Sequence, residues 1–207
     1  MTRTEVINQT AREIGATTYL ELGTRGCQNF NQVQVNHKRG VDIRGQSTRA
    51  HFRGTTDEFL CEAKREGSKY DLIFIDADHT YDQSKRDFRN ALHILSKGGA
   101  IILHDCIPLT EREANPEDIK GGVWCGEVWK VWRDIRRRND LVSVVVDCDH
   151  GCGVVMRGER HKGECLTQAT WRNISWWGDV ISADRFERHG LRLIGKGEGE
   201  TKRGGVG

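Results

Sequence analysis

The sequence has no hydrophobic run near the roughly 20 residues that a membrane-spanning helix needs. Its first residues, 1–5, lack the apolar core of a signal peptide. It also lacks a strong excess of either charge, because 32 basic and 30 acidic residues leave a net charge of +2 over 207 residues. A dedicated nucleic-acid-binding protein usually carries a larger basic excess. We therefore expect a cytoplasmic protein that binds neither a membrane nor nucleic acid.

The seven cysteines include no C-x-x-C pair, and their odd number does not fit a disulfide framework. Reduced thiols are the expected state. The segment Cys148-x-His150-x-Cys152 offers three metal-binding side chains, but a zinc site needs a fourth ligand and usually a different spacing. We interpret this segment as the turn of a hairpin.

Short apolar segments alternate with helical patterns through most of the chain. Four of these segments are predicted to form buried strands, at residues 18–22, 39–43, 71–76 and 100–103. Capping boxes at Thr2–Glu5 and Thr55–Glu58 predict the starts of two helices. Uniformly apolar strands that are separated by helices indicate a parallel sheet covered on both faces.

The C-terminal part of the chain adds an antiparallel edge and a tail. Residues 141–146 and 154–156 flank a polar loop and predict a β-hairpin. The expected fold is therefore α/β, a three-layer α/β/α sandwich that occupies residues 1–194. Residues 195–207 are rich in glycine and charged residues, and they are predicted to form a disordered tail.

All four predicted strands end in polar residues. They are Glu21-x-Gly23-x-x-Gly26, Asp42, Asp76-x-Asp78-His79 and His104-Asp105. The carboxyl ends of parallel strands meet at one edge of the sheet, where α/β proteins bind ligands. Gly23 allows a sharp turn, and Gly26 allows a ligand to approach the backbone. Asp42, 19 residues after Gly23, has the position of an acid that binds ribose hydroxyls. The glycine pattern differs from G-x-G-x-x-G, which favours a nucleoside ligand without a pyrophosphate.

The segments Glu21–Gly26 and Asp71–Asp105, together with Asp42, resemble class I S-adenosylmethionine-dependent methyltransferases. The sequence is most similar to the small methyltransferase family 24 subgroup, over residues 17–157. This resemblance implies a Rossmann-like, mostly parallel seven-stranded sheet whose C-terminal hairpin supplies the antiparallel strand.

The resemblance also implies S-adenosyl-L-methionine as the cofactor. The positions that would bind it are Glu21, Gly23, Thr24, Gly26, Asp42, Thr56, Asp57, Asp76, Ala77 and His79. Asp42 would bind the ribose hydroxyls, and Thr56 and Asp57 would lie near the adenine. Asp76 and His79 would face the reactive sulfonium and the methyl acceptor.

Missing motifs narrow the class of acceptor. The sequence has neither the Asp/Asn-Pro-Pro-Tyr/Phe motif of amino-nucleobase methyltransferases nor the Pro-Cys pair of cytosine C5 enzymes. A hydroxyl group of a small molecule remains as the methyl acceptor. The subgroup's association with saccharides suggests that this acceptor is a sugar or glycan residue. A phenolic or other natural-product hydroxyl, or binding of the cofactor without catalysis, are the alternatives. The oligomeric state stays open.

Candidates for deprotonating a hydroxyl lie at the same strand ends. His79 and His104 are candidate general bases, because an unperturbed histidine titrates near pH 6.5, and Asp76 lies beside them in the motif. Related enzymes hold a divalent cation at positions that match Asp76 and Asp105, which would suit Mg2+. The third ligand position holds Cys106 or His104, and both are poor Mg2+ ligands, which favours a base without a metal.

One aromatic residue is a candidate for contact with the acceptor. Trp124 lies in a loop after the strand that ends at Asp105, where this architecture places part of the acceptor pocket. An indole face stacks well on a sugar ring or an aromatic acceptor. We therefore predict that Trp124 binds the substrate.

Overall fold

The computed structural model describes residues 1–44, 48, 50–118, 121–158, 180–182 and 188. The helices are α1 (Arg3–Ile14), α2 (Gln28–Gln32), α3 (Thr56–Glu66), α4 (Tyr81–Ile94) and α5 (Val128–Arg136). The strands are β1 (Thr18–Leu22), β2 (His37–Asp42), β3 (His51–Arg53), β4 (Tyr70–Ile75), β5 (Leu95–Leu103), β6 (Leu141–Asp147), β7 (Cys152–Arg157) and β8 (Val180–Ser182). The predicted tail, residues 195–207, lies outside the described residues.

The strands form one mixed sheet in the order β3-β2-β1-β4-β5-β7-β6-β8. Strands β1 to β5 run parallel to one another, and β7 is antiparallel to both β5 and β6. The first seven strands confirm the predicted sheet and its antiparallel C-terminal hairpin. The three-residue β8 extends that sheet by pairing with β6.

Local sequence sets the ends of the first and third helices. Both begin with a complete capping box, in which Thr2 pairs with Glu5 and Thr55 pairs with Glu58. Both end at a glycine in the left-handed conformation, Gly15 and Gly67. These caps satisfy the free backbone groups at the helix ends, so α1 and α3 begin where the sequence predicts.

Apolar side chains cover both faces of the sheet. Helices α3, α4 and α5 pack on one face, with Phe59, Phe88 and Trp132 in a cluster that includes Ile73 and Ile101. Helices α1 and α2 pack on the other face, where Val6, Ile7 and Phe30 contact Leu72 and Ile102. The result is the predicted three-layer sandwich. Among the helices that the structure describes, none is both long and apolar enough to cross a bilayer.

Candidate active site

The parallel pairing of β4 and β5 brings their polar ends together. Ile75 pairs with Leu103, so Asp76 and the pair His104-Asp105 leave the sheet at the same edge. His79 lies three residues after Asp76, and its Nε2 atom lies 3.4 Å from Asp76 Oδ1 and 3.4 Å from Asp105 Oδ2. We call Asp76, His79, His104 and Asp105 the strand-end cluster.

His79 is held in a defined orientation. Its Nδ1 atom lies 2.9 Å from the carbonyl oxygen of Trp124, and its ring stacks on the Trp124 indole with a centroid distance of 5.0 Å. A carbonyl oxygen only accepts hydrogen bonds, so Nδ1 is the donor and carries a proton. Burial lowers the pKa of His79, but the hydrogen bond that its ring donates to Asp76 and the charges of Asp105 and Asp76 outweigh this and raise it.

His104 lies deeper than His79. Its side chain is only 3% exposed, against 17% for His79. Its Nδ1 atom lies 3.0 Å from Asp105 Oδ2 and 3.5 Å from Asp76 Oδ1. Burial opposes the charged form, but hydrogen bonds to Asp105, Asp149 and Asp76 raise the pKa of His104 well above its usual value. With so little exposed surface, His104 is not a group that a substrate can reach.

Two residues that the sequence did not identify complete this network. Arg3, at the start of α1, donates from Nη1 to Asp76 Oδ2 at 2.8 Å and from Nε to Asp149 Oδ2 at 2.6 Å. Asp149 lies in the β6–β7 loop, 3.6 Å from His104 Nε2. Burial opposes ionisation of Asp76, but its histidine neighbours hold the pKa of this carboxyl well below the usual range. For Asp149, the hydrogen bond from His104 likewise lowers the pKa.

The glycine loop after β1 packs directly on the end of β4. Gly23 has a φ of +89°, and a Cβ atom there would lie only 2.1 Å from the carbonyl oxygen of Asp76 and 2.6 Å from Cα of Ala77. At Gly26, in contrast, a Cβ atom would meet no heavy atom within 4 Å. Gly23 therefore serves the fold, whereas Gly26 borders open space at the carboxyl edge.

Asp42 lies at the end of β2, as predicted, and closes the glycine loop. Its Oδ2 atom accepts a hydrogen bond from the backbone N–H of Arg25 at 2.6 Å, and Oδ1 accepts one from Arg44 at 2.8 Å. Each carboxylate oxygen has a second lone pair, so the group can still accept a hydrogen bond from a ligand.

Glu21 and Thr24 have buried side chains. Glu21 accepts hydrogen bonds from Tyr19 at 2.6 Å and from Asn29 at 3.0 Å. Burial raises the pKa of Glu21 to about 7, although the hydrogen bonds from Tyr19 and Asn29 act in the opposite direction. The methyl group of Thr24 packs against Gly40 of β2. Both buried side chains therefore support the glycine loop from inside the protein.

Thr56 and Asp57 lie at the start of α3 and face α4. Thr56 Oγ1 donates to Asp87 Oδ1 at 2.6 Å, and Asp57 pairs with Arg86 at 3.5 Å. The structure therefore brings Asp76, Ala77, His79 and the glycine loop together directly, while the contacts of Thr56 and Asp57 are with the neighbouring helix.

Two groups of side chains among the described residues have ligand atoms close enough to share a metal ion. They are Asp76, His79 and Asp105, and Glu113, Cys125 and His150. In the first group the third ligand atom belongs to His79, and neither Cys106 nor His104, the residues beside Asp105 in sequence, is a member. The buried thiol of Cys106 lies 3.5 Å from the carbonyl oxygen of Leu103.

Part of the chain matches a known protein family in sequence. The family model described as a methyltransferase domain matches residues 6–106, which include the glycine loop and the strand-end cluster. No curated protein is significantly similar to the chain in sequence.

Solved methyltransferases share the fold at low sequence identity. An O-methyltransferase from Bacillus cereus, in complex with SAH, has 18% identity and a TM-score of 0.56 over 76% of this chain and 82% of its own. The O-methyltransferase TomG from Streptomyces achromogenes, in complex with SAM, has 18% identity and a TM-score of 0.53 over 75% and 79%. The SAH-bound methyltransferase PaMTH1 of Podospora anserina has 15% identity and a TM-score of 0.55 over 76% and 78%. These similarities confirm the predicted class I methyltransferase fold.

Proposed function

We propose that this chain, a class I methyltransferase by fold with a methyltransferase domain at residues 6–106, methylates a hydroxyl group of a small molecule from S-adenosylmethionine. The observation that carries this proposal is the strand-end cluster, in which an imidazole flanked by two carboxylates lies beside a glycine loop at the carboxyl edge of the sheet. The SAH and SAM complexes of the Bacillus cereus and Streptomyces achromogenes enzymes support the cofactor.

The residues at the carboxyl edge fit this cofactor. Gly26 borders open space, so its backbone is accessible to a ligand, and Asp42 keeps acceptor capacity for ribose hydroxyls. Asp76 packs against Gly23, and His79 lies 3.4 Å from Asp76, so both are close to where the reactive end of the ligand would be placed. The cofactor supplies a methyl group on a sulfonium, which a deprotonated acceptor oxygen displaces in line. The protein aligns the acceptor and removes its proton.

His79 is the better placed of the two candidate bases. Because Nδ1 donates to the Trp124 carbonyl, the neutral ring presents the lone pair of Nε2. Proton uptake at Nε2 produces an imidazolium that Asp76 and Asp105 stabilise from 3.4 Å. His104, which is nearly inaccessible, holds Asp105 and Asp76 in place and so acts as a positioning residue.

The side chains of the strand-end cluster fit a metal-free mechanism better than a mechanism that uses Mg2+. Asp76 and Asp105 offer carboxylate oxygens, but the third group is the His79 nitrogen, whereas Mg2+ prefers oxygen ligands. Arg3 already binds Asp76 with a contact of 2.8 Å and supplies positive charge there. If a divalent ion were held at this cluster, Asp76, His79 and Asp105 would be its ligands.

The acceptor that we favour is a hydroxyl of a sugar or glycan residue, with a phenolic or other natural-product hydroxyl as the alternative. Trp124 supports contact with a flat or ring-shaped acceptor, because its indole is only partly buried and lies directly over His79. In this arrangement Trp124 has two tasks, since its carbonyl oxygen orients the base and its ring borders the acceptor.

Turnover of His79→Ala tests the proposal. Methyl transfer from S-adenosylmethionine is measured for the wild type across a panel of free sugars, glycosides and phenols. The variants His79→Ala and His104→Ala and the surface variant His93→Ala are then compared with the wild type on each acceptor that the wild type methylates. Loss of the base should lower turnover by roughly 10²–10⁴-fold while cofactor affinity stays close to that of the wild type. His93→Ala should behave as the wild type.

Three results would contradict the mechanism. Full activity of His79→Ala would show that His79 is not the base. Loss of activity with a chelator, restored by Mg2+, would show that a metal activates the hydroxyl. Cofactor binding with no transfer to any acceptor of the panel would favour a protein that binds S-adenosylmethionine without catalysis.

A further inference from the structure

A carboxylate, a thiol and an imidazole converge outside the strand-end cluster. The ligand atoms of Glu113, Cys125 and His150 all lie within 4.8 Å of one another. Glu113 and Cys125 belong to the segment between β5 and α5, which we call the β5–α5 segment, and His150 belongs to the β6–β7 loop. Cys125 is fully buried, while Glu113 and His150 keep side-chain exposures of 14% and 21%. The group therefore has a buried side and a side that solvent reaches.

Backbone hydrogen bonds hold all three residues in place. The N–H groups of Cys125 and Gly126 both donate to the carbonyl oxygen of Glu113 at 2.9 Å. The N–H of Ile107 donates to the carbonyl oxygen of His150 at 2.7 Å, which fixes the β6–β7 loop on the β5–α5 segment. These bonds leave the thiol and the imidazole unused, while the Glu113 carboxylate accepts a hydrogen bond from the N–H of Leu109 at 2.7 Å. The main chain therefore brings the three side chains together.

The His150 ring has a polar atom without a hydrogen bond. Its Nδ1 atom is buried and unsatisfied, and Glu113 Oε2 lies 3.4 Å from it. A buried polar atom with no partner costs about 1–3 kcal/mol. His150 also has a φ of +62°, a conformation that a side-chain-bearing residue seldom adopts. An unsatisfied nitrogen beside a carboxylate, on a ring that also has a thiol within 4.8 Å, is the arrangement of a ligand-binding site.

The donor types identify the class of ligand. One sulfur, one nitrogen and one oxygen suit Zn2+ and similar transition-metal ions, and they do not suit Mg2+ or Ca2+. Tetrahedral zinc holds sulfur at about 2.3 Å and nitrogen or oxygen at about 2.0–2.2 Å, so bound ligand atoms lie roughly 3.2–3.8 Å apart. Small side-chain rotations from the present separations reach that geometry, and a fourth position stays open to solvent.

We propose that Glu113, Cys125 and His150 bind a Zn2+-type transition-metal ion that ties the β5–α5 segment to the β6–β7 loop. In each of these segments, the residue next to a proposed ligand contacts the strand-end cluster or its partner Arg3. Trp124, next to Cys125, stacks on His79, and Asp149, next to His150, binds Arg3. The ion is thus placed to hold both segments over the candidate active site, whatever reaction that site performs.

Cobalt binding tests this site directly. The protein is stripped of metal under reducing conditions and titrated with Co2+, whose visible absorption reports tetrahedral coordination and whose near-ultraviolet charge-transfer band reports a thiolate ligand. The wild type should bind a single Co2+ ion with both signals. Cys125→Ser and His150→Asn should each weaken binding by at least about 100-fold, because even residues behind a ligand are worth 10–100-fold. Asparagine is chosen at position 150 because it tolerates a positive φ.

Matched variants separate this site from the other groups that could bind Co2+. Cys148→Ser and Cys61→Ser remove thiols outside the proposed site and should leave both signals unchanged, as should His79→Ala. Absence of the charge-transfer band in the wild type overturns the proposal. So does binding that survives Cys125→Ser and His150→Asn but is lost in His79→Ala, since the ion would then lie in the strand-end cluster. A rise in Tm on addition of Zn2+, absent in both ligand variants, provides a second readout.

Discussion

Replacement of Gly23 by alanine tests how tightly the glycine loop packs on the end of β4. A Cβ atom at this position would lie 2.1 Å from the carbonyl oxygen of Asp76 and 2.6 Å from Cα of Ala77. Both are backbone atoms, so no side-chain rotation relieves the contact, and either the loop or the strand end must move. Because Asp76 belongs to the strand-end cluster, that movement also displaces the candidate active site.

Two costs add in the Gly23→Ala variant. Gly23 has a φ of +89°, and a residue with a Cβ atom in a left-handed conformation costs about 1–2 kcal/mol. Overpacking against a rigid neighbour typically costs about 1–3 kcal/mol more. The free energy of unfolding should therefore fall by about 2–5 kcal/mol, which is a large part of the roughly 5–15 kcal/mol that stabilises a domain.

Urea unfolding, followed by circular dichroism, measures this loss against the control Gly26→Ala. Gly26 has no heavy atom within 4 Å of its Cβ position, so its variant should lose less than about 1 kcal/mol. Calorimetry with S-adenosylmethionine then separates the two glycines, because Gly26→Ala should weaken binding while it keeps the fold. The packing argument is refuted if Gly23→Ala is within about 0.5 kcal/mol of the wild type.

Two further variants test the ribose acid and a hydrogen-bonded surface carboxylate. Asp42→Ala should weaken S-adenosylmethionine binding by about 1.5–3 kcal/mol, the value of a hydrogen bond to a charged group, and unchanged affinity by calorimetry would remove Asp42 from the cofactor site. Asp71 accepts hydrogen bonds from Thr17 and Thr18, and these overcome its partial burial and lower its pKa to about 2. Its stabilisation is therefore complete above the unfolded pKa near 3.9 and lost as the pH falls toward 2. Asp71→Asn should cost about 1 kcal/mol at pH 7 after allowance for solvent screening, and acid titration of stability should be flatter in the variant than in the wild type.

The strand ends could be predicted from sequence because local chemistry determines them. An apolar segment that stops at Asp76, or at His104, marks the end of a buried strand wherever it lies in the chain. Parallel order then places neighbouring ends side by side, so the sequence alone was sufficient to bring Asp76, His79 and Asp105 together. The capping boxes at Thr2 and Thr55 were likewise predictable, because every partner lies within one helical turn.

Contacts between distant segments were missed for the opposite reason. Arg3 and Asp149 are separated by 146 positions, and neither has a motif around it that indicates the other. The sequence places His150 between Cys148 and Cys152, each two positions away, yet the structure groups it with Glu113 and Cys125. Strand β3 has only three residues and forms by pairing with β2, so its sequence contains no apolar segment that would predict a strand. In each case tertiary packing, rather than local pattern, makes the contact.

The charges around His79 explain why a base and a metal ion are alternatives at this edge of the sheet. Asp76, Asp105 and Asp149 present three carboxylates, while Arg3 and a protonated His104 supply two positive charges. One negative charge is left when His79 is neutral, and a proton taken from an acceptor hydroxyl balances it. A divalent ion on Asp76 and Asp105 would bring two positive charges, one more than the cluster needs, and would repel that proton, because His79 Nε2 lies 3.4 Å from both carboxylates. The charges around His79 therefore match one additional proton better than a divalent ion.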